Sequence, residues 1–351
     1  MSWSGLEKGR YPTAAPGAAG IGRRACLAGG AAALGVVTAP GSAARAASAQ
    51  GRVRLGLLQF GTVQWIADLI RRGRLDAGHG FALDTAPLAN NDAGRIALMA
   101  GAADVVVSDW LFAANQRASG TRLCFAPFSS AVGGVMVRAE STLRDLAGLQ
   151  GRTLGVAGGP TDKSWITVQA AARRQGLDLA VAARVNYGAP PLLEAKLLRG
   201  ELDAVLTFWN FAARLEAQGA REVVSVAECE RQLGLPGDTA MVGYVFREDW
   251  ARAGGALDGF LAASHEAEAE LGRSDAAWQT VRPLMNAPDD ALFARLRARF
   301  LGGVVPPGTI AVQERDAARL LAIFNETGGG QATGGLEALP PGLYWRGPDA
   351  G

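Results

Sequence analysis

Histidine and lysine are scarce in this 351-residue chain, which has two histidines and three lysines. His79 and His265 are far apart, and neither has a cysteine or a paired carboxylate beside it at metal-ligand spacing, so the sequence predicts no metal site. No G-x-S-x-G motif accompanies either histidine, which argues against a Ser-His-Asp hydrolase. These absences favour binding over catalysis, and we expect a protein that is not an enzyme.

The chain also lacks a strong excess of either charge, since its formal net charge is only +2. No basic block follows the N-terminal segment, so no nucleic-acid partner is expected. Neither a Walker loop nor a G-x-G-x-x-G motif is present, and no cofactor is expected. The remaining composition, 49% hydrophobic and 19% charged, is that of a globular chain long enough for two domains.

Residues 1–49 have the layout of an export signal. Arg23 and Arg24 precede the short apolar run CLAGGAAALGVV, and small residues end at Ala49 in an A-x-A cleavage site. Paired arginines indicate the twin-arginine route, and therefore a periplasmic protein. Cys26 directly follows the arginines instead of an apolar run, which argues against a lipoprotein anchor.

Export would place Cys124 and Cys229 in an oxidising compartment. The sequence does not show whether their Cα atoms come within disulfide distance. A disulfide and two buried free thiols therefore both remain open.

The exported part begins with alternating strands and helices. The segments VRLGLLQF, FALDTAPL and ADVVVSDW are typical of strands, while WIADLIRRGRL and NDAGRIALMAGAAD are typical of helices, the second capped by Asn91 or Asp92. A strand-helix-strand-helix-strand order predicts a parallel sheet.

The same order then repeats. GRTLGVAG, LAVAARVNY and AVLTFW are predicted strands, and KSWITVQAAARRQG and PPLLEAKLLRGELD are predicted helices. The phrases ALMAGAADVVVS and KLLRGELDAVLT share a helix end, a Gly-x-x-Asp turn and an apolar strand. We conclude that the chain contains two copies of one α/β lobe.

The stretch GVAGGPTDKSW links a strand of the second copy to a helix. Thr161 or Asp162 is the expected helix N-cap, and Lys163 follows in a chain that otherwise favours arginine. Free backbone N–H groups at this helix start would receive an anionic or polar ligand group. An ordinary turn with a capping residue explains the same pattern.

Aromatic side chains cluster where the predicted strands end, although aromatics are only 7% of the chain. Ligands of open α/β sheets bind beyond the carboxyl ends of the strands, so these side chains are either cleft walls or core residues. Asp109 and Asp162 are the carboxylates closest to these ends, and they either recognise a ligand or cap helices. The aromatic residues concerned are Trp65, Trp110, Trp165, Tyr187, Phe208 and Trp209.

The segment LRDLAGLQGRTLGVAGGPTDKSW and the two Gly-x-x-Asp units carry a family resemblance. The chain resembles the periplasmic substrate-binding proteins of ABC importers, in the nitrate/taurine/sulfonate class that includes thiamine-precursor binders. Arg152 stands where that family usually has lysine. The resemblance implies a type II periplasmic-binding-protein fold: two α/β domains joined by a two-segment hinge, with the ligand cleft between them.

The residue patterns and the resemblance together divide the chain into four segments. We expect an export signal at 1–49, a discontinuous lobe one at 53–137 plus 243–325, lobe two at 140–242, and a Gly/Pro-rich tail at 326–351. Within the tail, only LYW is expected to be held in place. The last third before the tail, about 256–325, reads as amphipathic helix.

The same resemblance implies a set of ligand-binding residues, carried over by position. They are Gln59, Thr62, Gln64, Trp65, Ser108, Asp109, Trp110, Phe128, Ser129, Gly159, Thr161, Asp162, Lys163, Ser164, Tyr187, Thr207, Phe208, Trp209 and Asn210. These stretches contain no arginine, so we expect an aromatic or amphoteric organic ligand rather than a simple anion.

The expected function is capture of a small organic molecule for an ABC permease and its ATPase, by a monomer. An enzyme is the main alternative, because pyrimidine-synthesising proteins resemble the same fold and Lys163 offers an amine for a Schiff base. A sensory ligand-binding protein is a further alternative.

Overall fold

A computed structural model describes residues 51–58, 61–254 and 256–348. The predicted export signal at 1–49 and the candidate site residue Gln59 lie outside these described residues. None of the described helices is both long and apolar enough to cross a membrane.

The first lobe is built on a five-stranded sheet of order β2-β1-β3-β10-β4, in which β10 (Val242–Arg247) comes from a later part of the chain than the other four strands. Strands β1, β2 and β3 are parallel, as expected, and β10 runs antiparallel between β3 and β4. Buried side chains cover both faces of this sheet, in two separate hydrophobic clusters. Its elements from the first part of the chain are β1 (Gly51–Leu58), α1 (Val63–Arg72), α2 (Leu75–Gly78), β2 (Phe81–Leu88), α3 (Asn91–Met99), β3 (Val105–Asp109), α4 (Trp110–Ala118) and β4 (Leu123–Ser129).

The second lobe has the same design, with sheet order β7-β6-β8-β5-β9. Strands β6, β7 and β8 are parallel, and β5 is antiparallel to β8 and β9. Two further hydrophobic clusters cover its faces. Its elements are β5 (Gly133–Val137), β6 (Thr153–Ala157), α5 (Lys163–Arg174), α6 (Leu179–Ala182), β7 (Arg184–Gly188), α7 (Pro190–Leu198), β8 (Ala204–Phe208), α8 (Trp209–Ala217), β9 (Arg221–Ser225) and α9 (Val226–Gln232).

The chain returns to the first lobe and ends in helices. Residues Val242–Arg247 pair between β3 and β4, and helices then follow. The elements are β10 (Val242–Arg247), α10 (Glu248–Gly254), α11 (Ala256–Arg273), α12 (Asp275–Val281), α13 (Asp290–Leu301) and α14 (Ile310–Thr333).

The chain crosses between the sheets twice, at 130–132 and at 233–241. The first crossing comes earlier than expected, because residues 133–137, which were expected in lobe one, form β5 of the second sheet. Gly133 marks the point of arrival: its φ is +133°, and a Cβ there would lie 2.0 Å from the Thr207 carbonyl oxygen. The apolar run GGVMV suits either sheet, so only pairing with β8 decides its place.

The internal repeat is visible in matching contacts. In the first lobe, the backbone N–H of Arg54 donates a hydrogen bond to the Asp104 carboxylate at 2.9 Å. The backbone N–H of Asp104 in turn donates to the Arg54 carbonyl at 2.9 Å. In the second lobe, Thr153 and Asp203 make the same reciprocal pair, at 2.7 and 2.9 Å. The Gly-x-x-Asp turn thus fixes the same neighbouring strand in both copies.

Two local expectations were wrong. Helix α3 is capped by Asn90, whose side chain accepts from the Ala93 N–H, and not by Asn91 or Asp92. The predicted strand LAVAARVNY begins as helix α6, because Asp178 caps it by accepting from the Ala180 N–H. The strand there starts only at Arg184.

The segment expected as a loose tail is largely ordered. Helix α14 continues to Thr333, past a kink at Gly329, where φ is +64°. Tyr344 then forms a parallel bridge with Phe125 of β4, and the Trp345 N–H donates to the Phe125 carbonyl. The tail therefore covers the edge of the first sheet, with LYW as its anchor.

Candidate functional site

Two expected site residues from different lobes meet in an ion pair. Lys163 Nζ at the start of α5 lies 3.1 Å from Asp109 Oδ2 at the end of β3. The side chains are 25% and 13% exposed, so the pair is largely shielded from water. The contact joins the carboxyl ends of the strands in both sheets, where α/β proteins bind ligands.

Helix capping positions both residues. Asp109 caps α4 by accepting from the Phe112 N–H at 2.9 Å. Asp162 caps α5 by accepting from the N–H groups of Ser164 and Trp165, which makes Lys163 the first helical residue. A cation is disfavoured at a helix N-terminus by the helix dipole. Helix stability therefore does not explain Lys163, whereas the pairing with Asp109 does.

Arg95 is a candidate site residue that the sequence analysis did not identify. Its Nη2 lies 2.9 Å from Asp109 Oδ2, and its guanidinium carbon lies 4.7 Å from the centre of the Phe112 ring. The sequence stretches expected to contact a ligand contain no arginine, whereas Arg95 lies in the middle of α3. One signal in the sequence could have identified it. Arg95 lies within the first two turns of a predicted helix that follows a parallel strand.

The surrounding charges keep Asp109 ionised. Burial favours its neutral form, but Lys163, the Phe112 N–H and Arg95 outweigh burial and lower the pKa of Asp109 below 3.8. At Asp162 burial dominates: it raises the pKa above 3.8 despite the Lys163 charge and the capped amides.

A second interlobe contact is aromatic. Trp65 of α1 and Trp209 of α8 meet edge to face, with ring centroids 6.2 Å apart. Phe300 of α13 lies 5.4 Å from Trp65 and 6.4 Å from Trp209. Beside it, Arg299 pairs with Glu216 at 2.7 Å, so α13 is fastened to the second lobe.

Other expected aromatic contacts lie inside the hydrophobic cores. Trp110 is fully buried and stacks on Phe324, with ring planes 5° apart. Trp165 is 1% exposed, and Phe128 packs against Tyr244 at 5.1 Å. These side chains build the lobes, and a solute would reach them only if their neighbours moved.

The remaining expected residues occupy loops and strand ends in both lobes. Tyr187, at the end of β7, is 44% exposed and free to contact a ligand. Thr207 is buried, and its Oγ1 has no hydrogen-bond partner among the described residues. The others are buried (Ser108, Ser164), partly buried (Thr62, Gln64, Ser129, Gly159, Phe208, Asn210) or exposed (Thr161).

Groups that would support other chemistry lie elsewhere. His79 pairs with Glu266 at 2.9 Å, and no group of three or more His, Cys, Asp or Glu within the described ranges suits a metal ion. Cys124 and Cys229 are buried free thiols in different lobes. Burial raises the pKa of Cys124 to about 11 and that of Cys229 to about 12.

Two surface concavities lie away from the interlobe ion pair. One, of about 560 Å³, is lined by Arg282, Pro283 and Asn286 among others. Another, of about 200 Å³, lies between α5 and α14 beside Arg173 and Thr327. Neither is lined by an expected site residue.

Two matching sheets, crossed twice by the chain, define the two-lobed fold of periplasmic binding proteins. The periplasmic aliphatic sulphonate-binding protein SsuA from Escherichia coli has this fold, with a TM-score of 0.66 at 18% identity, covering 84% of this chain and 92% of that one. The alkanesulfonate-binding protein SsuA from Xanthomonas axonopodis pv. citri, bound to MOPS, gives 0.62 at 18% identity, covering 84% and 98%. The desulfurization enzyme DSZB gives 0.55 at 17% identity, covering 84% and 97%.

Family membership follows from the sequence itself. Residues 77–271, more than half of the chain, match the family model described as NMT1/THI5 like, and the chain belongs to this family. No curated protein matches the sequence.

Proposed function

We propose that this chain is the solute-binding component of an ABC importer. It is exported to the periplasm, by the twin-arginine route, captures a small organic molecule between its lobes as a monomer, and delivers it to a permease and its ATPase. The family, the likeness in fold to two sulfonate-binding proteins and the leader sequence support this proposal.

The ion pair between Asp109 and Lys163 is the observation that carries the proposal. Each partner comes from a different lobe, and both lie at the carboxyl ends of strands. A solute that engages both residues is held by both lobes, and its binding energy favours the closed arrangement. Loss of either residue should therefore weaken binding.

The side chains around the ion pair favour an aromatic or amphoteric organic solute over a simple inorganic anion. Asp109 places a negative charge in the site, which opposes a bare anion. Trp209 and the exposed ring of Tyr187 offer apolar surface to a larger ligand.

An enzyme remains the second candidate, because DSZB shares the fold. The described cysteines argue against a thiol nucleophile, since burial keeps both as neutral thiols. The amine of Lys163 is a further candidate nucleophile, and its contact with Asp109 provides a binding role for it.

A thermal-shift screen tests the proposal on protein expressed from its full sequence. The panel holds amines, organic acids, amino acids, sulfonates and pyrimidines, and each hit is recovered and weighed by mass spectrometry. A ligand at a hundredfold excess over its Kd stabilises the folded state by about 2.7 kcal/mol. Recovery of an unchanged hit is expected; a hit that is consumed would overturn the binding role.

Variants locate the binding event. Lys163→Met should abolish the shift caused by a hit. Lys196→Met is the matched control, because Lys196 lies in the last turn of α7, toward the opposite ends of the strands. An equal loss in both variants would contradict binding at the ion pair.

A further inference from the structure

The charges at the interlobe ion pair balance. Lys163 and Arg95 supply two positive charges; Asp109 pairs with both of them, and Asp92, which lies 3.6 Å from Arg95, supplies the second negative charge. A solute with one net charge would leave this largely shielded group of side chains with an unpaired charge, which is costly in a partly buried site. A solute with no net charge preserves the balance.

Geometry also limits a simple anion. Lys163 Nζ lies 3.1 Å from Asp109 Oδ2. An anionic oxygen bonded to that ammonium group at about 2.8 Å would lie no more than about 6 Å from the Asp109 carboxylate. At that distance two negative charges repel each other strongly in a shielded site.

Asp109 keeps part of its support when Lys163 turns to a ligand. Arg95 Nη2 and the Phe112 N–H both remain within 2.9 Å of its oxygens. The carboxylate therefore stays ionised and held in place, and the direction from which Lys163 approached becomes available to a positive group.

We propose that the solute is zwitterionic: its anionic group replaces Asp109 as the partner of Lys163, and its cationic group replaces Lys163 as a partner of Asp109. This inference rests on the proposed function and narrows its ligand class. Each charge of the internal ion pair is exchanged for a ligand charge of the same sign, so no charge is left unpaired.

Matched probes test the charge requirement. Para-aminomethylbenzoate carries both charges, para-methylbenzoate only the negative one and para-methylbenzylamine only the positive one; β-alanine, propionate and ethylamine form a smaller set. Titration calorimetry on the full-length protein is expected to show binding of a zwitterion that is at least about tenfold tighter than that of its singly charged partners.

Asp109→Asn gives a change of specificity that a purely structural role would not produce. The asparagine Oδ1 still accepts from the Phe112 N–H, so the cap of α4 is kept. We expect this variant to bind the zwitterion at least about tenfold more weakly and the anion more tightly than wild type. Asp178→Asn, which alters another helix cap paired with an arginine, should leave both affinities unchanged.

The outcomes separate this inference from the proposed function. Binding of an anion as tight as that of its zwitterion, an unchanged ratio in Asp109→Asn, or no binding by any zwitterion would overturn the inference. A singly charged solute that binds and is recovered unchanged would leave the solute-binding role standing. Chemical conversion of a bound solute would instead overturn that role.

Discussion

Lys163→Met removes the positive partner of Asp109 while keeping a long side chain at the start of α5. Breaking a buried ion pair by deleting one partner costs about 3–5 kcal/mol when the other charge is left alone. Asp109 is not left alone, because Arg95 lies 2.9 Å from Oδ2 and the Phe112 N–H is bonded to Oδ1. We therefore expect a smaller loss of unfolding free energy, about 1–2 kcal/mol.

A second effect acts in the opposite direction. A positive charge in the first turn of a helix opposes the helix dipole. Removing the charge of Lys163 should therefore raise the unfolding free energy by about 0.3–1 kcal/mol. The net destabilisation should thus be about 1 kcal/mol near neutral pH. Urea unfolding of wild type, Lys163→Met and Lys196→Met measures it, and the control variant should lie within about 0.5 kcal/mol of wild type.

The pH dependence of the stability difference between wild type and Lys163→Met tests whether the ion pair causes it. In wild type the pKa of Asp109 is lowered below 3.8, so the ion pair contributes its full stability above that value and loses it as pH falls through the lowered pKa. Without Lys163 the pKa of Asp109 rises, because burial is then less opposed, and the variant protonates this group at higher pH. The difference between the two proteins should therefore shrink between about pH 7 and about pH 4.

A double-mutant cycle with Asp109→Asn isolates the pair itself. We expect a coupling energy of about 1 kcal/mol at neutral pH. A coupling energy near zero, or a destabilisation by Lys163→Met that is the same at both ends of this pH range, would refute the ion pair as the origin of the effect.

Three further predictions concern buried groups away from the ion pair. Burial raises the pKa of Glu268 to about 8, so the stability of the wild type should fall as pH rises from about 4.5 to about 8. In urea unfolding above that range, Glu268→Gln should be more stable than the wild type by on the order of 3 kcal/mol, because it has no carboxylate to bury. The two proteins should differ little near about pH 5. Trp345→Ala removes a buried ring packed edge to face on Phe246 at 5.7 Å, and should lower the unfolding free energy by about 3 kcal/mol and speed proteolysis of the tail. Cys124 and Cys229 should resist alkylation in the folded protein and react in urea; fast labelling without denaturant would contradict their burial.

Periodicity was sufficient to predict most of the architecture. The strands with β-branched residues on both faces, such as 105–109, and the helices with one apolar face were correctly placed because burial on a sheet demands those patterns. The sheet to which 133–137 belongs was not predictable, since its apolar run fits either sheet and only long-range pairing decides. The helix N-caps Asn90 and Asp178 were not predicted either, because hydrophobic periodicity does not show which single side chain caps a helix.

The site was predictable in part. Asp109 and Lys163 follow strands at their carboxyl ends, and topology alone brings such positions to one edge of a sheet. Arg95 was missed because it lies inside a helix, and its reach across to Asp109 depends on how α3 packs. Trp110 shows the opposite failure: the family resemblance placed it among the ligand-binding residues, whereas its side chain is fully buried and stacks on Phe324.

Comparison of the two repeats shows that the residues of the ion pair differ between the lobes at matching positions. Strands β3 and β8 each start directly after the matching Asp104 and Asp203, and end at Asp109 in one lobe and Phe208 in the other.

The helices after the first strand of each copy match in the same way. Helices α1 and α5 begin at Val63 and Lys163, and each has tryptophan as its third residue. Both partners of the ion pair thus stand where the other lobe has an apolar residue. The Gly-x-x-Asp turns and tryptophans that build the lobes are kept in both copies, and the opposite charges are confined to one copy each. If the solute is zwitterionic as proposed, such an arrangement would place its anionic end at one lobe and its cationic end at the other, which a strictly symmetric pair of lobes would not do.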